Sequence, residues 1–342
     1  MIYINLLIIF IFIVAIHEFG HYLAARYFGA KVTDFSIGFG KPMYQFIDKH
    51  ETKWKICPIP LGGYVKIKGL DSIFQKNELV EKGSFHSLKL YQKIIILLAG
   101  SFFNIISAWL ILFLFYFFIG IKSLSPEIGE IMKDSPAYNA GLEKGDIIIS
   151  INNNKIFKFS DIPNAINNQD YLNIEILRNN SIIYKNLELV FDENLKRKII
   201  GITSTSNIII KKFNFLNSLN ESLFFIPNYY YLSYTFLIQS FNDNTLTNQL
   251  AGPIGIVKMA DQMMLDKLSG ILFLFVIISL FVGLFNLFPI PLLDGGHILY
   301  FIISDIFSNS LPEFVTRFYI IIGITIISFL FLIVTFNDIF YK

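Results

Sequence analysis

The sequence predicts a membrane α-helical protein with four transmembrane helices. A β-hairpin lies between the first two, and one β-rich α+β domain is inserted between the second and the third. Three observations carry this. The chain is 54% hydrophobic and 16% charged, with mean hydropathy +0.56, whereas soluble proteins run at about 25% charged. Four stretches are long and apolar enough to cross a bilayer. Between the second and third of these, short strand-like runs separated by Gly, Asn and Asp replace the continuous apolar pattern.

Composition excludes several classes. A net charge of +2 argues for no nucleic-acid role. The single cysteine, Cys57, rules out intramolecular disulfides and a cysteine zinc cluster. The first residues do not read as a cleavable signal peptide, because no Lys or Arg precedes the apolar run.

The first apolar stretch runs from Met1 to about Ala25, with Glu18 as its only acid. It contains His17-Glu18-Phe19-Gly20-His21, an H-E-x-x-H pattern. On a helix, residues four apart lie about 40° apart around the axis and about 6 Å apart along it. His17 and His21 therefore share a face and can hold one Zn²⁺, with Glu18 placed to act on water. Ionisable groups within a bilayer are costly unless they pair, bind or face water, so this stretch is a functional candidate. The plainer alternative is a short apolar helix with a polar end at the interface.

Arg26 to Lys93 carries twelve Lys/Arg and six Asp/Glu, and no Lys or Arg precedes it. The positive-inside rule makes this loop cytoplasmic and the N-terminus external. Within it, Trp54–Gly69 predicts a hairpin: Pro58 and Pro60 favour extended backbone, Gly62-Gly63 permits a tight turn, and Tyr64–Lys68 suits a strand. Ser84–Lys93 reads as an amphipathic lead-in to the second apolar stretch, Ile94–Ile121.

Lys122–Ser206 is the β-rich module. Its Ser135-Pro136-Ala137, Ala140-Gly141-Leu142 and Gly145-Asp146 resemble the S-P-A-x-x-A-G-L-x-x-G-D signature of bacterial PDZ domains. Ile200-Gly201-Ile202 resembles their carboxylate-binding turn, placed after the signature as in a circularly permuted PDZ. That likeness implies binding of an extended peptide by strand addition; a β-rich domain without a peptide ligand is the alternative. Ser222–Asn242 is uncharged, but Pro227 and the cluster Tyr229-Tyr230-Tyr231 suit an interfacial helix better than a span.

Leu268–Leu293 and Phe318–Asn337 are the third and fourth apolar stretches. At the end of the third, Asn286–His297 reads N-L-F-P-I-P-L-L-D-G-G-H. Pro289 and Pro291 break the helix, and Gly295-Gly296 frees the backbone after Asp294. An acid at that depth wants a partner. Two His and one carboxylate leave a fourth position on Zn²⁺ for water, as in catalytic zinc sites. His297 reads as a supporting or structural residue, His50 and His86 as solvated, and Cys57 as a hairpin core residue.

Over nearly its whole length the chain resembles the site-2 protease family, the RseP-like intramembrane zinc metalloproteases of regulated intramembrane proteolysis, here with a single PDZ signature. The likeness rests on H-E-F-G-H, Phe35–Gly40, Pro60–Val65, Ala99-Gly100 with Asn104, the PDZ signature, Gly252–Ile256 and N-x-x-P-x-P-x-x-D-G-G-H. It implies His17, His21 and Asp294 as ligands of one Zn²⁺ and Glu18 as catalytic base. It implies that the hairpin, with Gly62, Gly63, Tyr64 and Val65, re-enters the membrane and presents substrate as an added strand. Asn286 would hold the substrate backbone or shape the site, and Asn104 would face the catalytic water or the oxyanion. Ser101 replaces the family's usual proline, which puts the presentation of Asn104 in question.

The implied organisation is membrane core at 1–121 and 268–342, a PDZ domain at 122–206 and extracytoplasmic amphipathic or interfacial helices at 207–267. The implied substrates are single-span membrane proteins, such as anti-sigma factors or signal-peptide remnants, in a bacterial cytoplasmic (inner) membrane. A zinc transporter or a non-catalytic PDZ scaffold are the alternatives. Transporters usually show internal repeats, and no second H-E-x-x-H occurs in the chain.

Overall fold

The structure, a computed structural model, describes residues 2–70, 83–166, 169–192, 197–242, 267–307 and 312–340. It forms two compact units, Met1–Phe115 with Leu216–Lys342, and Tyr116–Phe215.

The first unit opens with α1 (Ile2–Tyr27). It has no proline, and no glycine before Gly20, so nothing interrupts its backbone hydrogen bonds. A four-stranded sheet follows: β1 (Val32–Phe39), β2 (Tyr44–Ile47), β3 (Lys53–Ile56) and β4 (Ile59–Ile67), in the order β2-β3-β1-β4. β3 runs parallel to β1, and β4 antiparallel to it. The hairpin expected at Trp54–Gly69 is therefore not formed, because its two arms lie on opposite sides of β1. Gly62-Gly63 is no turn but part of β4, with Gly63 paired to Ile37. A Cβ at Gly63 would sit 2.7 Å from the Ser36 carbonyl oxygen and 3.1 Å from Val14 of α1. The glycine thus admits α1 against the sheet, which a Gly-Gly pair does as readily as it turns a chain. Cys57 is buried beside Ser36, as a core residue.

α2 (Leu90–Leu114) returns beside α1. The second unit holds β5 (Ile121–Leu124), β6 (Ile128–Ile131), α3 (Pro136–Asn139), β7 (Ile147–Ile151), β8 (Asn154–Lys155), α4 (Ile162–Ile166), β9 (Tyr171–Arg178), β10 (Ser181–Glu188), β11 (Val190–Asp192), β12 (Arg197–Ile199), β13 (Ile202–Ser204) and β14 (Ile208–Lys211). Its main sheet is ordered β10-β9-β7-β8. The alternating strand β9 points Leu172, Ile174 and Ile176 into the core, as a half-buried strand requires. β14 pairs with β5, so the β-rich unit extends past the expected boundary at 206.

Back in the first unit come α5 (Phe215–Asn242), α6 (Lys267–Phe285), α7 (Asp294–Ile306) and α8 (Glu313–Phe340). Among the described residues, four helices are long and apolar enough to cross a membrane: Tyr3–Tyr27, Leu90–Ile119, Leu268–Phe285 and Glu313–Phe336. α1, α2 and α6 alternate in direction. His21 meets Ile96 while His17 meets Asn104, and Ser107 meets Ser279 while Gly283 meets Ser101. α1 and α6 consequently run the same way.

α5, expected as an interfacial helix, packs lengthwise on α6. Phe225 packs on Phe273, and the Tyr229 and Tyr230 hydroxyls donate to the carbonyls of Ile277 and Leu280. Its aromatic face thus lies along the third apolar helix, where both the rings and the hydroxyls find partners.

Candidate metal centre

The centre forms where α1, α2 and the start of α7 converge. His17 and His21 project from one face of α1, both 8% exposed. Asp294 comes from the break between α6 and α7. Pro289 and Pro291 end the helical run at Phe285 rather than Leu293, so Asp294 opens α7 instead of ending the third apolar helix. As the first residue of α7 it lies at the positive end of that helix's dipole. Gly295 and Gly296 are helical there. They serve close packing rather than backbone freedom: a Cβ at Gly295 would fall 2.2 Å from the Leu287 carbonyl oxygen.

Asp294 Oδ2 lies 3.1 Å from His17 Nε2 and 3.4 Å from His21 Nε2, and the two Nε2 atoms are 3.2 Å apart. One donor atom from each residue falls within 4.8 Å of the others. Among the described residues, these three form the group of His, Cys, Asp and Glu that could hold a metal ion. His21 Nδ1 donates to the Ile96 carbonyl at 2.8 Å, which leaves Nε2 free of a proton and facing the centre. Two imidazole nitrogens and one carboxylate fit zinc, with a fourth position open.

α2 has to approach closely for this. A Cβ at Gly100 would lie 2.3 Å from His21 Nε2 and 2.7 Å from His17 Cε1. Ile96 and Gly100 are parts of the site that a reading of side-chain types passes over. Ile96 contributes only a carbonyl, and Gly100 only the absence of a side chain. The signal available was the small pair Ala99-Gly100 on an otherwise bulky helix.

A cavity of about 410 Å³ opens onto the centre, lined by His17, Glu18, His21, Asn286, Asp294 and His297 and by Gly62–Val65 of β4. Glu18 sits beside Gly63 and accepts a hydrogen bond from the Val65 backbone N–H. Asn286 Nδ2 lies 3.4 Å from His17 Nε2. The structure therefore brings together Glu18, the three candidate ligands, Asn286 and the β4 residues.

It does not bring Asn104 to the cavity. Asn104 is fully buried behind His17, its side-chain amide 3.3 Å from His17 Nδ1, away from where water or an oxyanion would sit. The amide meets the Nδ1 side of the His17 ring, while Asp294 faces its Nε2. Ile200, Gly201 and Ile202 belong to the other unit. Ile200 is buried and its carbonyl accepts from Ala137 N, while Gly201 accepts from Met132 N and Ile202 pairs with Ile131.

Comparison with known proteins points to a zinc enzyme. The family model for peptidase family M50 matches residues 5–330. A Rickettsia conorii protein is 35% identical over 341 residues, covering 96% of this chain and 95% of the relative. A Campylobacter jejuni protein is 33% identical over 343 residues, covering 96% and 90%. One from Helicobacter pylori strain J99 is 33% identical over 345 residues, covering 96% of both. Each of the three carries the provisional name zinc metalloprotease.

Proposed function

The chain belongs to peptidase family M50 and is a zinc metalloprotease, and from that premise we propose that it cleaves transmembrane segments of single-span membrane proteins within the bilayer. The observation that carries this is positional. His17, His21, Glu18 and Asp294 meet at a cavity among helices apolar enough to cross a membrane. Such groups are costly at that depth without a chemical use.

His17, His21 and Asp294 would hold the zinc, which would supply Lewis acidity for the scissile carbonyl and for the attacking water. Glu18 accepts the water's proton and returns it to the leaving amine nitrogen. The Val65 N–H keeps the Glu18 carboxylate pointed at the cavity. Asn286, beside His17, is placed to hold the substrate backbone. β4 ends the sheet's order and lines the cavity through Gly62–Val65. An unwound substrate segment can add to it as a further strand, which offsets the helical hydrogen bonds lost on unwinding.

Loop charge supports a reading with the N-terminus and the β-rich unit outside a bacterial cytoplasmic membrane and the active site towards the cytoplasm. On this reading anti-sigma factors or signal-peptide remnants are the substrates, and the β-rich unit selects among them through a PDZ-like peptide site.

The test is zinc content together with cleavage of a model single-span substrate in liposomes, wild type against Glu18→Gln. The variant should keep its zinc, since Glu18 is not a ligand, and should cut nothing. Cleavage by folded, zinc-loaded Glu18→Gln protein would overturn the mechanism. Zinc-loaded wild type that cuts a soluble peptide but no membrane-embedded segment would overturn the intramembrane reading alone.

A further inference from the structure

At the end of α1 the chain enters the sheet, and the turn between β2 and β3 folds back beside it. Between them lies a cleft of about 470 Å³ whose side chains are Arg26, Lys31, Lys49, His50 and Glu51. It is apart from the metal centre, and no chemistry described so far uses it.

The walls of the cleft are fixed. Asp48 Oδ1 accepts from the backbone N–H groups of His50 (2.8 Å) and Thr52 (2.9 Å), and Oδ2 from Trp54 Nε1 (3.0 Å) and Tyr22 Oη (3.2 Å). This shapes the turn that carries Lys49, His50 and Glu51. The charge in the cleft does not balance. Glu51 is paired with Lys31 at 2.5 Å. Among the described residues no carboxylate lies within 4 Å of Arg26 or Lys49. Among the described residues, Arg26 and Lys49 thus line the cleft beside His50 with no carboxylate paired to either, an arrangement that an anion relieves.

The surroundings indicate which anion. Arg26 is in the last turn of α1, at the end of an apolar helix long enough to cross a membrane. Next to it Tyr27 is 84% exposed, and neighbouring β2 exposes Tyr44 and Ile47. Aromatic and basic residues at a span end mark the level of lipid headgroups. Arg and Lys together suit a phosphate, one by its fork of donors and the other as a point charge.

We propose that this cleft binds the phosphate of an anionic phospholipid headgroup. Free phosphate shares that chemistry. The exposed Tyr27, Tyr44 and Ile47 favour the lipid, because its acyl chains cover them. The inference stands independently of the proteolytic reading.

The test mixes the purified full-length chain in detergent with equal amounts of phosphatidylglycerol and phosphatidylcholine and counts retained lipid by native mass spectrometry. Wild type should retain phosphatidylglycerol with roughly thirtyfold preference, the scale expected of two basic residues near a membrane surface. Arg26→Gln/Lys49→Gln should lose most of that preference, and Lys49→Gln alone, in an exposed turn, part of it. Lys41→Gln/Lys53→Gln removes the same charge outside the cleft and should leave the preference intact. Bound zinc, measured in each variant, reports folding. No preference in wild type, or equal loss in the control pair, would overturn the site. Inorganic phosphate that binds the cleft while lipid preference is absent would overturn the lipid as its occupant.

Discussion

His17 faces the metal centre with Nε2 and Asn104 with Nδ1: Asp294 Oδ2 lies 3.1 Å from the first, and the Asn104 amide 3.3 Å from the second. A histidine that gives Nε2 to zinc carries its hydrogen on Nδ1 and donates it. Asn104 Oδ1 is buried without a partner, and the two ends of an amide are exchanged by a simple flip. The flipped amide accepts from His17, which fixes the ring's tautomer and angle. Asn104→Leu should therefore weaken zinc binding by roughly 10–100-fold, read by competition with a chelator. Asn104→Asp keeps an acceptor oxygen and should retain most of the affinity. A leucine variant that binds zinc like wild type would refute this role.

Gly100 sets the spacing between α1 and α2 at the same site. Gly100→Ala places a methyl 2.3 Å from His21 Nε2, closer than any real contact, so the ring or the helix has to move. Zinc per chain should fall below half of the wild-type value at equal expression. A fully loaded Gly100→Ala protein would show that the helices separate without disturbing the ligands.

Asp48 gives the sheet a pH dependence. Desolvation pushes its carboxyl up, but hydrogen bonds from Trp54, Thr52, His50 and Tyr22 outweigh this and hold it down to about 2, against about 3.9 in an unfolded chain. A depressed folded value means that the ionised form favours folding. Its contribution is complete above about pH 4 and disappears as pH falls towards 2. Tryptophan emission of the purified chain should shift across that window, and Asp48→Asn should abolish the shift. An identical acid transition in the variant would assign it to other carboxylates.

In the β-rich unit, Asp146 is 1% exposed and receives two hydrogen bonds from Arg178, Nε to Oδ1 and Nη2 to Oδ2, both 2.7 Å. Removing Asp146 takes these two charge-assisted hydrogen bonds from Arg178, which keeps Glu143 at 2.6 Å and the Gly141 carbonyl at 3.0 Å, at a cost of about 1.5–3 kcal/mol. Asp146→Ala should speed hydrogen exchange of the amides of β7 and β9, and Asp146→Asn should do so less. Unchanged exchange in the alanine variant would mean that the pair contributes nothing net.

The metal centre was legible where chemistry and helical period coincide. His17, Glu18 and His21 are fixed by one turn of one helix. Asp294 stood out because an acid beside a proline-broken apolar run needs a partner. The contacts that Asn104 and Ile96 make with His17 and His21 were not legible. The first acts from behind a ring and the second through a backbone carbonyl, and neither geometry has a pattern in residue types.

Sequence by itself pointed to the apolar helices, the β-rich insertion and the three residues that meet as a candidate metal site, because burial, period and donor chemistry are local properties of residues. Tertiary structure alone decided that Trp54–Gly69 wraps both sides of β1 instead of turning on Gly62-Gly63, and that α5 lies along α6. It also decided how closely α2 approaches His21. Strand partners and helix contacts are choices among surfaces of similar apolarity. The free-energy differences between them come from close packing and from satisfying each buried polar group, and those depend on residues far apart in the chain.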